Sequence, residues 1–471
     1  MTTLDKLLRQ TKKLDKKYLR KTKVPLVTVS GTYHEDLKGL HNLPEDDLKK
    51  DLVFSRAHYS MTIAQAMTTW KNKIDPKEAW IFDPTNYVHA KNWSGIKITE
   101  LIGRLVARYH ALKMLKNLVD KFGRQKMPIL ASITPPLLHF TREIKNPILS
   151  FHIAAGNILL ENGKTVMQVI TDPHVRDEYI TNSEKPTAFF CVFDENTKEE
   201  FMRKAYKMDK KVDETKIQQR VIVTGPPIDP RILNVAEKKR AWTKASNRPL
   251  RLCLTTGGLG TNKEEIESIL KQLLPELAKP NPKFQLMVYA GTHYDIKNMV
   301  IDISRGCGCG YDEISAYDPA EFEIGAKINF HPTLAEKITK PLAVIHHPQI
   351  IDANELLIHY GFPWADGFIT KPSGDMAYDA VASGAFLLTL SEWGEWENNI
   401  RAKFMAHEVA RKADIENILP QLEKLMRENS HGAWITEAMR KTKKIENEDP
   451  NFRNGTKNIL KAFEEMKAQL K

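Results

Sequence analysis

Short apolar runs, several of them closed by Gly or Pro, alternate along this chain with longer segments whose apolar residues recur every three or four positions. The first pattern predicts buried strands and the second predicts amphipathic helices. In the first half, strands are expected over 26–30, 128–133, 166–170, 188–192 and 221–224, with helices over 98–122 and 197–206. A polar, basic stretch without a clear period follows. The alternation then restarts, with strands over 250–254, 284–290, 327–330, 342–345, 367–370 and 386–390. Helices are expected there over 264–277 and 375–383, with a helical tail over 451–470. Apolar strands separated by helices imply parallel sheets covered on both faces. The expected fold class is therefore α/β, with two Rossmann-like, doubly wound domains facing a cleft. The expected domains are 1–235 and 250–449, joined by a linker at 236–249, with a helix at 450–471 packing back on the first. In open α/β sheets, ligands bind at the carboxyl ends of the strands.

The length of 471 residues suits two domains of about 200 residues each. Hydrophobic residues make up 42% and charged residues 27%, a globular balance that excludes dominant disorder. No apolar run approaches the ~18 residues of a bilayer span, and residues 1–23 lack the apolar core of a signal peptide. A cytoplasmic location is expected. Four cysteines, Cys191, Cys253, Cys307 and Cys309, read as plain thiols, because Cys307-Gly308-Cys309 lacks zinc-site spacing. No metal site is expected. The net charge of +11 suits an anionic substrate, an anionic membrane or nucleic acid. Dispersed basic residues without interleaved aromatics argue against nucleic acid. Residues 1–23 form a basic, helix-prone segment with a thin apolar stripe. Either it packs on its own domain, or it lies on an anionic membrane surface at the inner face.

Three segments carry candidate chemistry. Lys371-Pro372-Ser373-Gly374-Asp375-Met376 follows an expected strand and opens an expected helix. Free amides there, with the helix dipole, would favour a phosphate. Asp379, one turn on, could accept from ribose hydroxyls. Glu392-Trp393-Gly394-Glu395-Trp396-Glu397-Asn398-Asn399 follows the next strand. Carboxylates and amides suit sugar hydroxyls, and an indole suits a pyranose face. Thr256-Gly257-Gly258-Leu259-Gly260 follows the first strand of the second domain, where glycines admit close approach to a ligand. Each segment also has a plain reading, as a strand–helix turn, a charged helix start and a loop.

The stretch from Leu250 to Asn399 resembles the C-terminal domain of glycosyltransferase family 28, which includes monogalactosyldiacylglycerol synthase and the lipid I N-acetylglucosaminyltransferase. Lys371 through Asp379 and Gly384 is similar to its Lys-Pro-Gly-Gly…Glu…Gly donor motif, and Gly394 to Asn399 to its Gly-Gln-Glu-x-x-Asn motif. Thr171-Asp172, residues 191–194 and residues 223–229 are similar to acceptor-domain segments. The resemblance implies a GT-B fold, a UDP-sugar donor as co-substrate, inversion at the anomeric carbon, no further cofactor, and a lipid-linked acceptor hydroxyl. It implies diphosphate contacts from the amides of Ser373, Gly374 and Asp375, with Asp379 on the ribose. Thr256, Gly257, Gly258, Gly260, Lys371 and Met376 complete the nucleotide site. Glu395, Trp396, Glu397 and Asn399 lie by the donor sugar. Ser373 stands for the family's Gly, Asp379 for its Glu, Glu395 for its Gln and Trp396 for its Glu, so the sugar is left undefined. Inverting transfer needs a base. His34, where the family's first loop carries His, is the first candidate and His174 the second, while a surface histidine explains either equally well. Two other readings stand beside this one: a UDP-sugar 2-epimerase on the same scaffold, and a non-catalytic basic protein that binds membrane or nucleic acid.

Overall fold

A computed structural model describes residues 3–31, 52–71, 73–88, 92–108, 128–208, 213–246, 248–316, 338–428, 430 and 432–470. The chain divides into two units. The first comprises residues 1–103, 116–229 and 451–471, and the second residues 104–115 and 230–450.

Strands β1 (Val24–Val27), β2 (Ala79–Phe82), β3 (Ile148–Ser150), β4 (Val166–Val169), β5 (Ala188–Val192) and β6 (Val221–Val223) form the sheet of the first unit, in the order β2-β1-β3-β4-β5-β6. The sheet of the second unit holds β7 (Leu250–Thr255), β8 (Phe284–Gly291), β9 (Tyr311–Ile314), β10 (Leu342–His346), β11 (Gly367–Thr370), β12 (Phe386–Thr389) and β13 (Ala410–Lys412). Their order is β13-β12-β11-β7-β8-β10-β9. Every pairing between these strands is parallel, in keeping with the largely apolar sequences of the central ones. Strand order reverses between β1 and β3 in the first sheet and between β7 and β11 in the second. A crevice opens at the carboxyl end of such a reversal.

Each unit has its own core. Leu252, Leu254, Ile269, Leu273, Val288 and Leu388 anchor that of the second, where helix Lys263–Leu277 covers one face with Ile266, Ile269, Leu270, Leu273 and Leu274. Val27, Ile148, Leu159, Val166, Phe190 and Phe201 anchor that of the first. The tail helix Gly455–Gln469 packs on helix Arg56–Thr69, with Gln65 Nε2 donating to Thr456 O at 3.1 Å. An added Cβ at Gly455 would lie 1.8 Å from Pro226 O, so the approach there needs glycine.

Several expectations change. Residues 128–133 are not a strand. Pro128–Thr141 is a helix that carries Pro135 and Pro136 inside it. Ile133, Leu137 and Phe140 are buried at helical spacing, and that period outweighs the two prolines. The first strand ends at Val27. The helix expected over 98–122 is described as Trp93–Arg108, and the strand expected over 327–330 lies outside the described residues. In the segment read as a linker, residues 236–238 form the last turn of helix Pro230–Lys238 and Trp242 lies in the second core. Among the described residues no helix is long and apolar enough to cross a membrane.

Candidate functional site

The loops after β7 and β11 begin side by side, because Thr255 and Thr370, at the ends of those strands, share a hydroxyl hydrogen bond of 2.6 Å. The loop after β7 is tightly closed. Thr256 Oγ1 donates to Thr261 O at 3.1 Å, the Gly257 amide to Thr261 Oγ1 at 3.3 Å, and the Gly260 amide to Gly257 O at 2.9 Å. Gly260 sits at φ +71 and Asn262 at φ 60, in the left-handed region where glycine and asparagine are least strained. Asn262 Nδ2 donates to Ser391 O after β12 at 3.0 Å, and Glu265 Oε2 accepts the Ser391 amide at 3.0 Å. The third loop is thereby tied to the first.

After β11, Lys371 Nζ meets Glu397 Oε1 at 2.6 Å and lies 5.6 Å from the centre of the Trp393 ring. Glu397 Oε2 accepts the Trp393 amide at 2.5 Å. Glu397 is 1% exposed and Lys371 14%, so the carboxylate is fully buried and its partner only partly so. One of the three Lys371 N–H groups serves Glu397.

The amide cradle expected from residue 373 takes a different form. The Ser373 amide donates to Lys371 O at 2.8 Å, Met376's to Ser373 Oγ at 3.3 Å and Ala377's to Ser373 O at 3.3 Å. The Ser373 hydroxyl also donates to Asp375 Oδ1 at 2.5 Å. These bonds fold the turn onto itself, and helix Met376–Ala382, whose N-cap Asp375 makes no side-chain cap bond, is only 7 residues long. Positive charge at this edge comes from Lys371. Gly374, Asp375, Met376 and Asp379 are all buried.

On helix Glu395–Ala406, residues two apart face opposite ways. Glu397 turns inward to Lys371, whereas Glu395 and Asn399 share the exposed face. Trp396 packs edge-to-face on Trp393, with ring centroids 6.3 Å apart, and covers Gly394, where a Cβ would lie 2.2 Å from its ring. The structure thus brings Lys371, Trp393 and Glu397 together with the glycine loop, and leaves Glu395 and Asn399 facing elsewhere.

Arg108, His293 and Asp295 carry no sequence signal for this site, since the first is remote in sequence and the others follow β8. Arg108 Nη1 and Nη2 meet Asp295 Oδ2 and Oδ1 at 2.7 and 3.2 Å, and Lys263 Nζ meets Oδ2 at 2.9 Å. Burial alone would raise Asp295, but Lys263 and Arg108 outweigh it and hold the carboxyl well below its usual range.

In the first unit, His34 lies outside the described residues. His174, after β4, has Nδ1 3.1 Å from Glu200 Oε1. Burial would raise Glu200, but bonds from His174 and the Val175 amide hold it at about 2. Sequence reasoning missed His152, which follows the three-residue β3 beside the strand-order reversal. Burial, then His58 and Arg176, lower it well below the ordinary value, and its Nδ1 accepts the Ala155 amide at 3.4 Å. Accepting at Nδ1 assigns the ring proton to Nε2. Among the described residues, no three His, Cys, Asp or Glu side chains form a metal-ligand set.

The chain is similar to several solved structures. One is a UDP-GlcNAc 2-epimerase from Neisseria meningitidis bound to UDP-GlcNAc, at 13% identity and TM-score 0.46, covering 94% of this chain and 100% of that one. MurG from Acinetobacter baumannii shows 11% identity and TM-score 0.42, over 94% and 99%. The glycosyltransferase SnogD from Streptomyces nogalater shows 10% identity and TM-score 0.41, over 93% and 99%. Identities this low are shared by proteins of unlike activity, so they do not speak to the reaction. No curated protein matches the chain. A family model described as a domain of unknown function, DUF6938, matches residues 218–458, just over half of the 471. The segment it matches contains β7, β11 and β12 and the three loops at their carboxyl ends, and the chain belongs to the DUF6938 family.

Proposed function

We propose that the chain is a glycosyltransferase of the GT-B type. It takes a UDP-sugar at the carboxyl edge of the second sheet and transfers the sugar, with inversion, to an acceptor hydroxyl that is lipid-linked. One observation carries the reading. The glycine loop and the Lys371 loop flank the strand-order reversal, joined by the Thr255–Thr370 contact, with the half-buried Lys371 side chain beside them. The similarity of residues 371–384 and 394–399 to a sugar-donor motif supports it independently.

In this reading the loop amides and Lys371 stabilise the charge that builds on the leaving diphosphate. Trp393 gives the donor an apolar wall. Asp379 serves the ribose, and His34 or His174 takes the acceptor proton. The nucleotide sugar is the only co-substrate, and helix Thr3–Lys21 packs on its own unit, with Leu19 buried and Trp80 Nε1 donating to Asp15 Oδ1 at 3.1 Å.

Thermal unfolding with UDP, dTDP and GDP tests the donor. A ligand at about 100 times its Kd adds about 2.7 kcal/mol to the folded state, and UDP is expected to act selectively. If no nucleoside diphosphate stabilises the protein, the reading fails. Isomerisation of UDP-N-acetylglucosamine without an acceptor would assign an epimerase instead.

A further inference from the structure

Three successive carbonyls of the glycine loop, those of Gly257, Gly258 and Leu259, meet His293 and Arg108. His293 Nε2 lies 3.0 Å from Gly258 O and 3.3 Å from Gly257 O, and Arg108 Nε donates to Leu259 O at 3.2 Å. Both partners of Nε2 are acceptors, so that nitrogen carries the proton. Nδ1 lies 3.1 Å from Arg108 Nη2, which can only donate, so Nδ1 offers its lone pair. The imidazole is thus held as one neutral tautomer between the guanidinium and the loop. Asp295 fixes the guanidinium from its far side with two bonds.

In a trans peptide, the C=O of one residue and the N–H of the next point in opposite directions. Drawing the carbonyls of Gly257 and Gly258 toward His293 therefore turns the amides of Gly258 and Leu259 the other way. Two successive amides with that orientation make an anion-binding concavity. Gly260 permits the arrangement, because a Cβ there would lie 2.5 Å from Arg108 Nη2 and its φ of +71 disfavours any side chain.

We propose that Arg108 and His293 are positioning residues that aim the Gly258 and Leu259 amides at the diphosphate of the donor. The ligand class, a nucleoside diphosphate, rests on the function proposed above. The orientation of the loop does not. Arg108 works through the shape of its fork, which reaches Leu259 O, His293 and Asp295 together. Lysine keeps the charge and cannot make all three contacts.

The test compares Arg108→Lys, Arg108→Gln and His293→Ala with the wild type, titrated with UDP and with uridine. All three variants are expected to bind UDP about tenfold or more weakly, the worth of one charge-assisted hydrogen bond, with uridine affinity unchanged. Wild-type UDP affinity in Arg108→Lys would overturn the proposal by showing that charge suffices. Equal losses for UDP and uridine would overturn it as well. Amide hydrogen exchange without ligand separates this inference from the donor assignment. Exchange across residues 257–261 should quicken by about tenfold in Arg108→Gln and His293→Ala, while β7 and β8 keep their protection. Unchanged exchange would sink the inference even if UDP binds. If the wild type ignores UDP while both variants show the quickened loop, the donor assignment alone falls.

Discussion

Replacing Lys371 by Met removes the partner of a carboxylate that scarcely touches water. Glu397 is 1% exposed and has two contacts, Lys371 Nζ at 2.6 Å and the Trp393 amide at 2.5 Å. Stranding such a charge costs about 3–5 kcal/mol. The Trp393 amide stays in place and Lys371 is 14% exposed, so the loss should fall at the lower end, about 3 kcal/mol. In a unit of about 200 residues this lowers Tm by roughly 6–12 °C. Adding Glu397→Gln removes the stranded charge and leaves an amide oxygen for Trp393, so the double variant should return to within about 1 kcal/mol of the wild type. Denaturant unfolding of the four proteins gives the coupling, and a UDP titration of the stable double variant isolates function. If Lys371 serves a phosphate, that variant binds UDP about tenfold or more weakly although its fold is restored. Wild-type UDP affinity in the double variant would refute the role of Lys371 and reduce the pair to a fold element. A Lys371→Met protein as stable as the wild type would refute the burial argument itself.

Three further outcomes are expected. Gly260→Ala should cost about 1–3 kcal/mol, from a left-handed backbone and the Arg108 guanidinium in the way of its Cβ, and a neutral result in urea unfolding would contradict this loop geometry. Burial would raise Glu355, but Arg231 and His359 hold it at about 2, below its ordinary 4.5. A depressed carboxylate adds stability above its unfolded value and loses it as pH falls through the folded one. Glu355→Gln should therefore flatten the stability profile between about pH 4.5 and 2, and an unchanged slope would exclude this pair as its source. UDP should slow amide exchange in the loops after β7 and β11 and leave the loop after β1 as it was. The reverse pattern would move the donor to the first unit.

The α/β class was legible because central parallel strands are buried on both faces, so 166–170, 188–192, 342–345 and 386–390 stand out as apolar runs between helical periods. Strands β2, β3, β9 and β13 have three or four residues each, too few to show a period, and only pairing reveals them. Pro135 and Pro136 disguised a helix as a strand end, because their local signal is stronger than the spacing of Ile133, Leu137 and Phe140. At the site, the Lys371 and Glu397 segments could be placed at strand ends from the chain alone. Their pairing could not, since Glu397, Glu395 and Asn399 read as one polar cluster until the helix turns them to opposite faces. Arg108 lies 151 residues before the loop carbonyl it binds, a distance no local pattern spans.

The two strand-order reversals differ in polarity, and this difference bears on where an anion goes. In the first sheet, the loop after β1 presents the amides of Ser30 and Gly31, and Asp83 Oδ2 accepts both, at 2.7 and 3.2 Å. Its Oδ1 accepts the Thr85 amide at 2.9 Å and the Thr85 hydroxyl at 2.7 Å. Burial pushes Asp83 up to about 6 against these four donors, so the carboxyl is committed to its loop and little solvated. An added Cβ at Gly31 would lie 2.5 Å from Leu52 O, which shows how closely the turn is shut. A protein oxyanion already occupies the place where a phosphate would sit. In the second sheet the side chains that reach the loop carbonyls from outside it are donors. His293 and Arg108 take the carbonyls of Gly257, Gly258 and Leu259, and Lys371 adds a cation beside them. Backbone amides spent on a carboxylate cannot bind a ligand's phosphate, whereas carbonyls spent on donors leave their amides turned toward one. Similar strand orders thus yield one reversal whose amides are taken by a carboxylate and one whose carbonyls are taken by side-chain donors, and the function proposed above puts the diphosphate at the second.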